Sequence, residues 1–270
     1  MPKNLIEGRF DSVQRAFDKQ AKHYDDDDRS NPILVEWRNQ VYQNLDFFLL
    51  PGSRILELNS GTGIDALRLV RAGHHVDATD ISPGMIQRIQ EKINLFGLNE
   101  SLTATCCSFE LLNTLQGKKF DYVFSNFGGL NCCQDLEHVT RFLPDLLNHR
   151  GLITWVIMPP VCLWELAWAL QGKAEAFRRL KKNGTIAHLE GEYFSTYYHS
   201  LSTLKEKLGP RFQLRKVEGL GALSPPPGSA AFAMKNPGIY SMLKKLDGMV
   251  NRYFPFNRWA DHFIATFQFT

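Results

Sequence analysis

Acidic and glycine residues near the ends of two predicted strands are the side chains best suited to chemistry in this chain. The stretch ILELNSGTGIDAL, residues 55–67, is an apolar run that contains Glu57 and leads into a glycine-rich turn and a helical pattern. Residues 61–66 match G-x-G-x-x-A, the fingerprint of dinucleotide-binding turns. A turn of this kind also joins strand to helix without holding a ligand. The pattern alone therefore leaves a dinucleotide, another adenosyl ligand or no ligand as alternatives.

The charge of Glu57 separates the first two alternatives. In a dinucleotide site, small residues let a pyrophosphate rest on the N-terminus of the following helix. A carboxylate two residues before the turn would repel a diphosphate but would suit a cationic ammonium or sulfonium group. A second acid, Asp80, ends the next predicted strand, where its two oxygens are suited to accept hydrogen bonds from ribose hydroxyls. The alternative role for Asp80 is a helix N-cap, although Ser82 already occupies that position.

An alternation of strands and helices in the sequence would position Glu57, Asp80 and the glycine turn. The pattern predicts strands at residues 54–59, 75–80, 101–107, 119–127 and 151–158. Strands that alternate with helices are typical of a parallel sheet with helices on both faces. The alternation ends near residue 160, and residues 160–210 are predicted to form a helical, aromatic-rich insertion. Two later strand-like runs, residues 211–221 and 262–270, predict an antiparallel pair that closes one sheet edge.

The N-terminal region is predicted to be helical. A first helix over residues 11–24 carries an apolar stripe that ends at Tyr24, and a second follows Asn31 and stops at Pro51. Four consecutive acids, residues 25–28, lie between them. They lack the alternating oxygens and glycine turn of a Ca²⁺ loop, so we expect a solvated turn and no metal site.

Composition bounds the class of protein. The 270 residues are 44% apolar and 22% charged, which is ordinary for a soluble globular chain, and a net charge of +3 is too small to indicate nucleic-acid binding. Five cysteines fit neither a disulfide framework nor a zinc site, and no export signal is evident, so we expect a cytoplasmic protein. The apolar residues 152–170 are interrupted by Pro159 and Glu165, which argues against a membrane span.

The ordered motifs resemble those of the class I S-adenosylmethionine-dependent methyltransferases. LELNSGTG is similar to their first motif, usually acid-x-G-x-G-x-G, and VDATDISPGMI and FDYVFSNFGGLN follow in order. The resemblance covers residues 10–152 and, more loosely, the final strands. It is greatest to small-molecule methyltransferases of the ubiquinone-biosynthesis and glycine-methyltransferase type.

The resemblance implies an α/β three-layer sandwich. Its Rossmann-like sheet would have seven mostly parallel strands, with an antiparallel last strand and a helical insertion after strand five. We expect one methyltransferase domain over residues 1–270. Its parts would be a helical cap (1–50), a cofactor-binding core (51–159), a substrate-side insertion (160–210) and closing strands with an inserted helical stretch (211–270).

The resemblance also assigns S-adenosylmethionine as cofactor, with S-adenosylhomocysteine as product. Glu57 would act on the methionine ammonium through the loop or a water, and Asp80 would bind the ribose. Gly61 and Gly63 would let the backbone approach the methionine and ribose. The first motif glycine is Asn59 here, and since asparagine readily adopts positive φ, we expect the turn to survive.

Further positions match the adenine and methyl-transfer pockets of the family. Ile81 and Met85 would sandwich adenine, and Ser108 would meet its amine, although Met85 also fits a core role. Tyr24 would face the cofactor or simply end its apolar stripe. Arg38 would pair with the methionine carboxylate or lie on the surface. The remaining assigned positions are Phe109, Asn126 and Phe127.

Catalysis needs little from the protein, because a sulfonium methyl group is already a strong electrophile. Alignment of the acceptor behind that methyl group supplies much of the rate. A hydroxyl acceptor would gain from a general base, and Tyr197, Tyr198 and His199 in EYFSTYYHS are the candidates. Their alternative role is packing under the insertion.

The partner predicted for the chain is a small-molecule acceptor. The motif SNFGG stands where amino-methylating DNA enzymes carry Asn/Asp-Pro-Pro-aromatic, so no nucleic-acid substrate is expected. Residues 162–182 combine Trp and Leu with a basic end, which suggests weak interfacial contact with lipid-linked substrates but no stable membrane insertion. Oligomeric state is left open. The competing functions are an NAD(P)-dependent oxidoreductase and a non-catalytic adenosyl-ligand-binding domain.

Overall fold

A seven-stranded sheet lies at the centre of the computed structural model, which describes residues 4–169, 172 and 174–270. The strands of this part of the chain are β1 Arg54–Leu58, β2 His75–Asp80, β3 Leu102–Cys106, β4 Phe120–Ser125, β5 Leu147–Ile157, β6 Thr185–Leu189, β7 Glu192–Thr196, β8 Phe212–Leu220 and β9 His262–Phe269. The sheet order is β3-β2-β1-β4-β5-β9-β8. Strands β1–β5 are parallel to their neighbours, whereas β9 is antiparallel to both β5 and β8. The predicted mostly parallel sheet with an antiparallel last strand is confirmed.

Helices cover the sheet. They are α1 Asn4–Gln20, α2 Tyr24–Ser30, α3 Pro32–Phe48, α4 Ile64–Arg71, α5 Pro83–Phe96, α6 Glu137–Thr140, α7 Leu143–Leu146, α8 Leu163–Ala169, α9 Leu201–Leu208, α10 Ala230–Lys235 and α11 Pro237–Val250. Asn31 and Ser82 are the N-caps of α3 and α5. The Ser82 hydroxyl accepts the Met85 N–H at 3.0 Å, and the Asn31 side chain accepts the Ile33 N–H. Among the described residues, no helix combines the length and the apolar character needed to cross a bilayer.

Buried side chains form a core on each face of the sheet, which gives three layers. Strand β4 shows the alternation: Val123 belongs to one core, while its neighbours Tyr122 and Phe124 belong to the other. All three are almost completely buried.

The acidic run at residues 25–28 is not the solvated turn that we expected. The first helix ends at Gln20, four residues early, and the acids lie in α2, which begins at Tyr24. Acids are stabilised in the first turn of a helix by the helix dipole, so a short helix replaces the turn. Asp28 is buried against Arg38, which a local pattern does not reveal.

The insertion also differs from the helical prediction. Its second half contains the hairpin β6–β7, whose turn residues Glu190 and Gly191 both have positive φ, at 50° and 78°. Glu192 of this hairpin pairs with Arg15 and Lys19 of α1. The hairpin thus lies against the N-terminal helix. Before the insertion, β4 and β5 are joined by the two short helices α6 and α7.

The segment proposed for interfacial contact, residues 162–182, folds onto the protein at its basic end. Residues 170, 171 and 173 of this segment lie outside the described part of the chain. Both Arg178 and Arg179 bond to the buried carboxylate of Glu165, at 2.8 Å each. Arg179 is itself only 5% exposed. These two charges are therefore committed to internal ion pairs.

Candidate active site

A cleft of about 690 Å³, measured to its open mouth, lies where β1, β2 and β4 end. The carboxyl edge of a parallel sheet is the usual ligand position in open α/β folds. The residues that line it are Phe10, Val13, Phe17, Tyr24, Asn59, Gly61, Asp80, Ile81, Met85, Cys107, Ser108, Phe109, Asn126, Phe127, Gly129 and Cys132. Ten of the thirteen cofactor residues predicted from the sequence are in this set; the three that are not are Arg38, Glu57 and Gly63.

The turn after β1 has the conformation expected of it. Asn59 adopts φ 46° and Gly61 adopts φ 55°, so the predicted positive φ at Asn59 is confirmed. The Asn59 side chain is held on both sides: its Oδ1 accepts the Ser125 hydroxyl at 2.6 Å, and its Nδ2 donates to the Asn126 carbonyl at 3.1 Å. This residue therefore connects the ends of β1 and β4 at the floor of the cleft.

Asp80 lines the cleft, and Ser82, not Asp80, is the N-cap of α5, so the ribose role of Asp80 stays a prediction. One carboxylate oxygen accepts the Gly61 N–H and the other accepts the Ser82 N–H, each at 2.9 Å. Each oxygen has a second lone pair, and the residue lines the cleft, so both oxygens can still accept a ligand hydroxyl. Burial raises the pKa of Asp80 to about 6, against the opposing effect of the N–H bonds from Ser82 and Gly61.

One end of the cleft is apolar. Ile81 and Met85 contribute to it from the start of α5, and Met85 is fully buried. Ser108 caps the following 3-10 helix by accepting the Glu110 N–H at 3.2 Å. Phe109 packs edge-on against Phe10 of α1, with ring centroids 5.8 Å apart. A flat apolar ring system fits this end of the cleft.

Arg38 is buried, so the surface alternative is wrong, while its pairing with the methionine carboxylate stays a prediction although Arg38 does not line the cleft. Its guanidinium is buried between Asp28 and Asp65, at 2.5 Å from each carboxylate. Asp65 also accepts hydrogen bonds from Tyr42 and from Asn126, which lines the cleft. Arg38 thus ties α2 and α3 to the floor of the site, and its Nε has no hydrogen-bond partner among the described residues.

Glu57 lies behind the cleft wall. It is 1% exposed, and its Oε2 has no hydrogen-bond partner among the described residues. Burial raises the pKa of Glu57 well above its usual range; the Asp65 charge acts in the same direction and Arg38 opposes it. A buried carboxylate oxygen without a partner beside the glycine turn fits a ligand that carries a positive charge. Its contact with an ammonium stays a prediction.

Gly63 does not line the cleft. Its lack of a side chain instead allows Ile89 of α5 to pack closely against it. Its φ is 79°, and an added Cβ would lie 2.9 Å from Ile89 Cγ1. We expect Gly63→Ala to lower the free energy of unfolding by about 1–3 kcal/mol through overpacking and backbone strain. Urea denaturation measures the loss. Gly73→Ala is the matched control, since Gly73 has φ 90° with no atom within 4 Å of the added Cβ. Equal losses in the two variants would contradict a packing role.

The three candidate general bases do not line the cleft. His199 is 5% exposed, with Nε2 at 2.8 Å from the Cys133 carbonyl, and burial lowers its pKa. The Tyr198 hydroxyl bonds to Thr185 of the hairpin, and the Tyr197 N–H donates to the Asn131 carbonyl. Their positions follow from the β6–β7 hairpin, which the sequence pattern did not predict.

Helix α1 contributes cleft residues that the sequence analysis missed. Phe10, Val13 and Phe17 line the cleft from this helix. The apolar stripe that contains them was recognised, but a stripe packed on a core and a stripe facing a ligand have the same spacing.

Known methyltransferases share a sequence domain and a fold with this chain. A family model described as a methyltransferase domain matches residues 55–151. A demethylmenaquinone methyltransferase from Corynebacterium glutamicum is 34% identical over 88 residues, which cover 31% of this chain and 36% of that protein. The match thus spans about a third of the length of this curated relative.

Solved structures share the fold at low sequence identity. An S-adenosylmethionine-dependent methyltransferase from Clostridium acetobutylicum superposes with a TM-score of 0.60 and 13% identity, covering 93% of this chain and 98% of that one. A didemethyltoxoflavin methyltransferase from Burkholderia thailandensis, solved with S-adenosylhomocysteine, gives 0.56 and 14%, over 96% and 88% of the chains.

Residues 55–151 thus match a methyltransferase domain, and the sheet has the strand order of the class I S-adenosylmethionine-dependent methyltransferase fold. The cofactor of this class is S-adenosylmethionine. The match includes Glu57 and the glycine turn, whose G-x-G-x-x-A spacing had left a dinucleotide as an alternative.

Proposed function

We propose that the protein transfers a methyl group from S-adenosylmethionine to a small-molecule acceptor by direct in-line displacement. The observation that carries the proposal is the placement of acids at an otherwise apolar cleft. Asp80 lines it, and Glu57 and Asp65 lie behind it, with Arg38 as a buried counter-charge. A ligand with a ribose at one point and positive charge at another matches this arrangement.

The residues present fit the cofactor. Asp80 would accept the ribose hydroxyls, Ile81 and Met85 would cover the adenine, and the turn at Asn59 and Gly61 would hold the methionine part. When bound, S-adenosylmethionine supplies an electrophilic methyl group on a positively charged sulfur. The chain's own task is to orient the acceptor and exclude water, which can lower the barrier by about 7–11 kcal/mol.

The walls of the cleft favour an aromatic or apolar acceptor. Phe10, Phe17, Phe109 and Phe127 line it, together with Tyr24. The Corynebacterium glutamicum relative is a demethylmenaquinone methyltransferase, so a hydroquinone ring is the first acceptor to test. Helix α1 in the N-terminal cap contributes two of these aromatic residues, Phe10 and Phe17, and the insertion's hairpin packs against this helix. Both contacts support a substrate-side role for the two segments.

Calorimetry and a transfer assay test this function. We expect S-adenosylmethionine and S-adenosylhomocysteine to bind and NAD not to bind. Tritiated methyl transfer is then measured to a panel of 1,4-naphthohydroquinone, catechol and sarcosine. Binding of NAD in place of S-adenosylmethionine would favour the oxidoreductase alternative. Cofactor binding with transfer to no acceptor in the panel would favour a non-catalytic adenosyl-binding domain.

The cofactor affinity should depend on pH. With a pKa of about 6, Asp80 is mostly protonated in the free protein at pH 5, and ribose binding has to displace that proton. Affinity for S-adenosylhomocysteine is therefore expected to be about tenfold weaker at pH 5 than at pH 7, and the raised pKa of Glu57 acts in the same direction. Calorimetry in buffers of different ionisation enthalpy measures both affinity and proton release. A flat profile, or tighter binding at pH 5, would contradict the assignment of Asp80.

A further inference from the structure

A histidine–aspartate pair lies at the start of β9. His262 Nδ1 is 2.9 Å from Asp261 Oδ2, and the two residues are 9% and 7% exposed. Asp261 is held in turn by Arg179, which donates to its Oδ1 at 2.5 Å and to its carbonyl at 2.7 Å. Glu165 fixes Arg179 from the other side at 2.8 Å. The imidazole is thus oriented by a chain of buried charges.

The pair defines which imidazole nitrogen carries the proton. Burial opposes ionisation of Asp261, but the hydrogen bond from His262 and the Arg179 charge hold the pKa of Asp261 well below its usual range. An ionised carboxylate accepts the Nδ1–H, which leaves Nε2 as the ring nitrogen available to a substrate proton. Nε2 has no hydrogen-bond partner among the described residues, while the Nδ1 side is fully engaged.

The topology places Nε2 near the cleft, although His262 itself is not among the residues that line it. Because β9 runs antiparallel to β5, its first residues lie at the carboxyl edge of the sheet, where Phe263 pairs with Ile157. A Cβ built on Gly128 would be 3.3 Å from His262 Nε2, and the imidazole centroid is 6.3 Å from that of Phe127. Phe127 and Gly129, the neighbours of Gly128, both line the cleft.

We propose that His262 is the general base for an acceptor that carries an ionisable hydroxyl, such as a phenol or a hydroquinone. This inference rests on the proposed methyl transfer. As the acceptor oxygen, or the ring carbon activated by it, bonds to the methyl carbon, the S–CH₃ bond breaks and its electron pair stays on sulfur. The hydroxyl proton passes to His262 Nε2, and the resulting imidazolium is stabilised by Asp261 and later releases the proton to solvent.

The charged surroundings of His262 are consistent with this role. Asp261 contacts it directly, and Arg179, Glu165 and Cys162 lie behind Asp261. Arg38 lies over the other side of Phe127, 4.7 Å from that ring. Cys162, Glu165 and Asp261 approach one another closely enough to suggest a metal site, but the Arg179 guanidinium already supplies the cation between the two acids.

The test compares His262→Gln and Asp261→Asn with His149→Ala, an exposed histidine away from the cleft. Tritiated methyl transfer is measured with 1,4-naphthohydroquinone and catechol between pH 6 and 9, and folding is checked by S-adenosylhomocysteine affinity. We expect His262→Gln to lower kcat about 100-fold or more with unchanged cofactor affinity. Asp261→Asn should lower kcat by a smaller factor, and the acid limb of the pH profile should be absent in His262→Gln. Added imidazole should partly restore activity in His262→Ala.

The outcomes separate this inference from the proposed function. Absence of S-adenosylmethionine binding by the wild-type protein would end the proposed function itself. Wild-type protein that binds the cofactor and methylates sarcosine but neither hydroxyl probe would overturn the inference alone. So would a His262→Gln variant within threefold of wild-type kcat, or a loss of kcat in His199→Ala without one in His262→Gln.

Discussion

Replacing Asp80 with alanine is expected to weaken S-adenosylhomocysteine binding by about 100-fold or more. Two ribose hydroxyls would lose a charged acceptor, and a hydrogen bond to a charged group contributes about 1.5–3 kcal/mol. The side chain also orders the site, because it accepts the backbone N–H groups of Gly61 and Ser82. Its removal therefore loosens the turn and the start of α5 as well.

Isothermal titration calorimetry measures this effect. Asp77→Ala is the matched control, since Asp77 lies on the same strand but outside the cleft, where it bonds to Thr103 and Lys118. The control should bind within about threefold of the wild-type protein. Binding by Asp80→Ala within the same threefold would show that this carboxylate does not receive the ribose.

Replacing Arg38 with methionine is expected to lower the free energy of unfolding by about 3–5 kcal/mol, the cost of removing one partner from a buried ion pair. The substitution leaves Asp28 and Asp65 buried without their cation, and Glu57 lies close enough for its charge to interact with Asp65. We also expect weaker cofactor binding, because Asp65 positions Asn126 at the cleft.

Urea denaturation followed by circular dichroism measures the stability loss. Arg68→Met is the control, since Arg68 pairs with Asp46 at the surface and an exposed pair contributes under about 1 kcal/mol. Adding Asp28→Asn and Asp65→Asn to Arg38→Met should recover part of the loss, because the neutral amides need no counter-charge. A loss below 1 kcal/mol for Arg38→Met, with no recovery in the triple variant, would refute the coupling described here.

The buried network around Arg38 links stability to the site. Arg38 joins α2 and α3 to Asp65 in α4, and Asp65 bonds to Asn126 after β4. Acids that outnumber their counter-charge are costly in a protein interior. Here the excess acid lies beside the glycine turn, where a cationic ligand would compensate it. The site is thus poised to gain affinity from charge that the free protein holds at a cost.

The sequence by itself determined the parallel core and most of the cofactor cleft. Strand β2 and helix α5 occur at the predicted residues, and Asp80, Ser82 and Asn59 have the predicted local geometry. These features are local: strand periodicity, an N-cap hydroxyl and a residue tolerant of positive φ act within a few positions of the chain. The parallel sheet then brings strand ends together at one edge, so residues that follow strands meet there.

Only the tertiary structure determined which side chains, distant in sequence, form ion pairs. Arg38 meets Asp65 across 27 positions, and Arg179 meets Asp261 across 82. Neither pairing produces a periodic pattern in the sequence, because an ion pair between distant residues depends on how whole helices and strands pack. The same reason explains the β6–β7 hairpin, which precedes His199, and β9, whose first residue, His262, packs against the cleft residue Phe127. The order of strands in the sheet, which spacing along the chain does not encode, places the final strand beside β5 and its first histidine at the cleft edge.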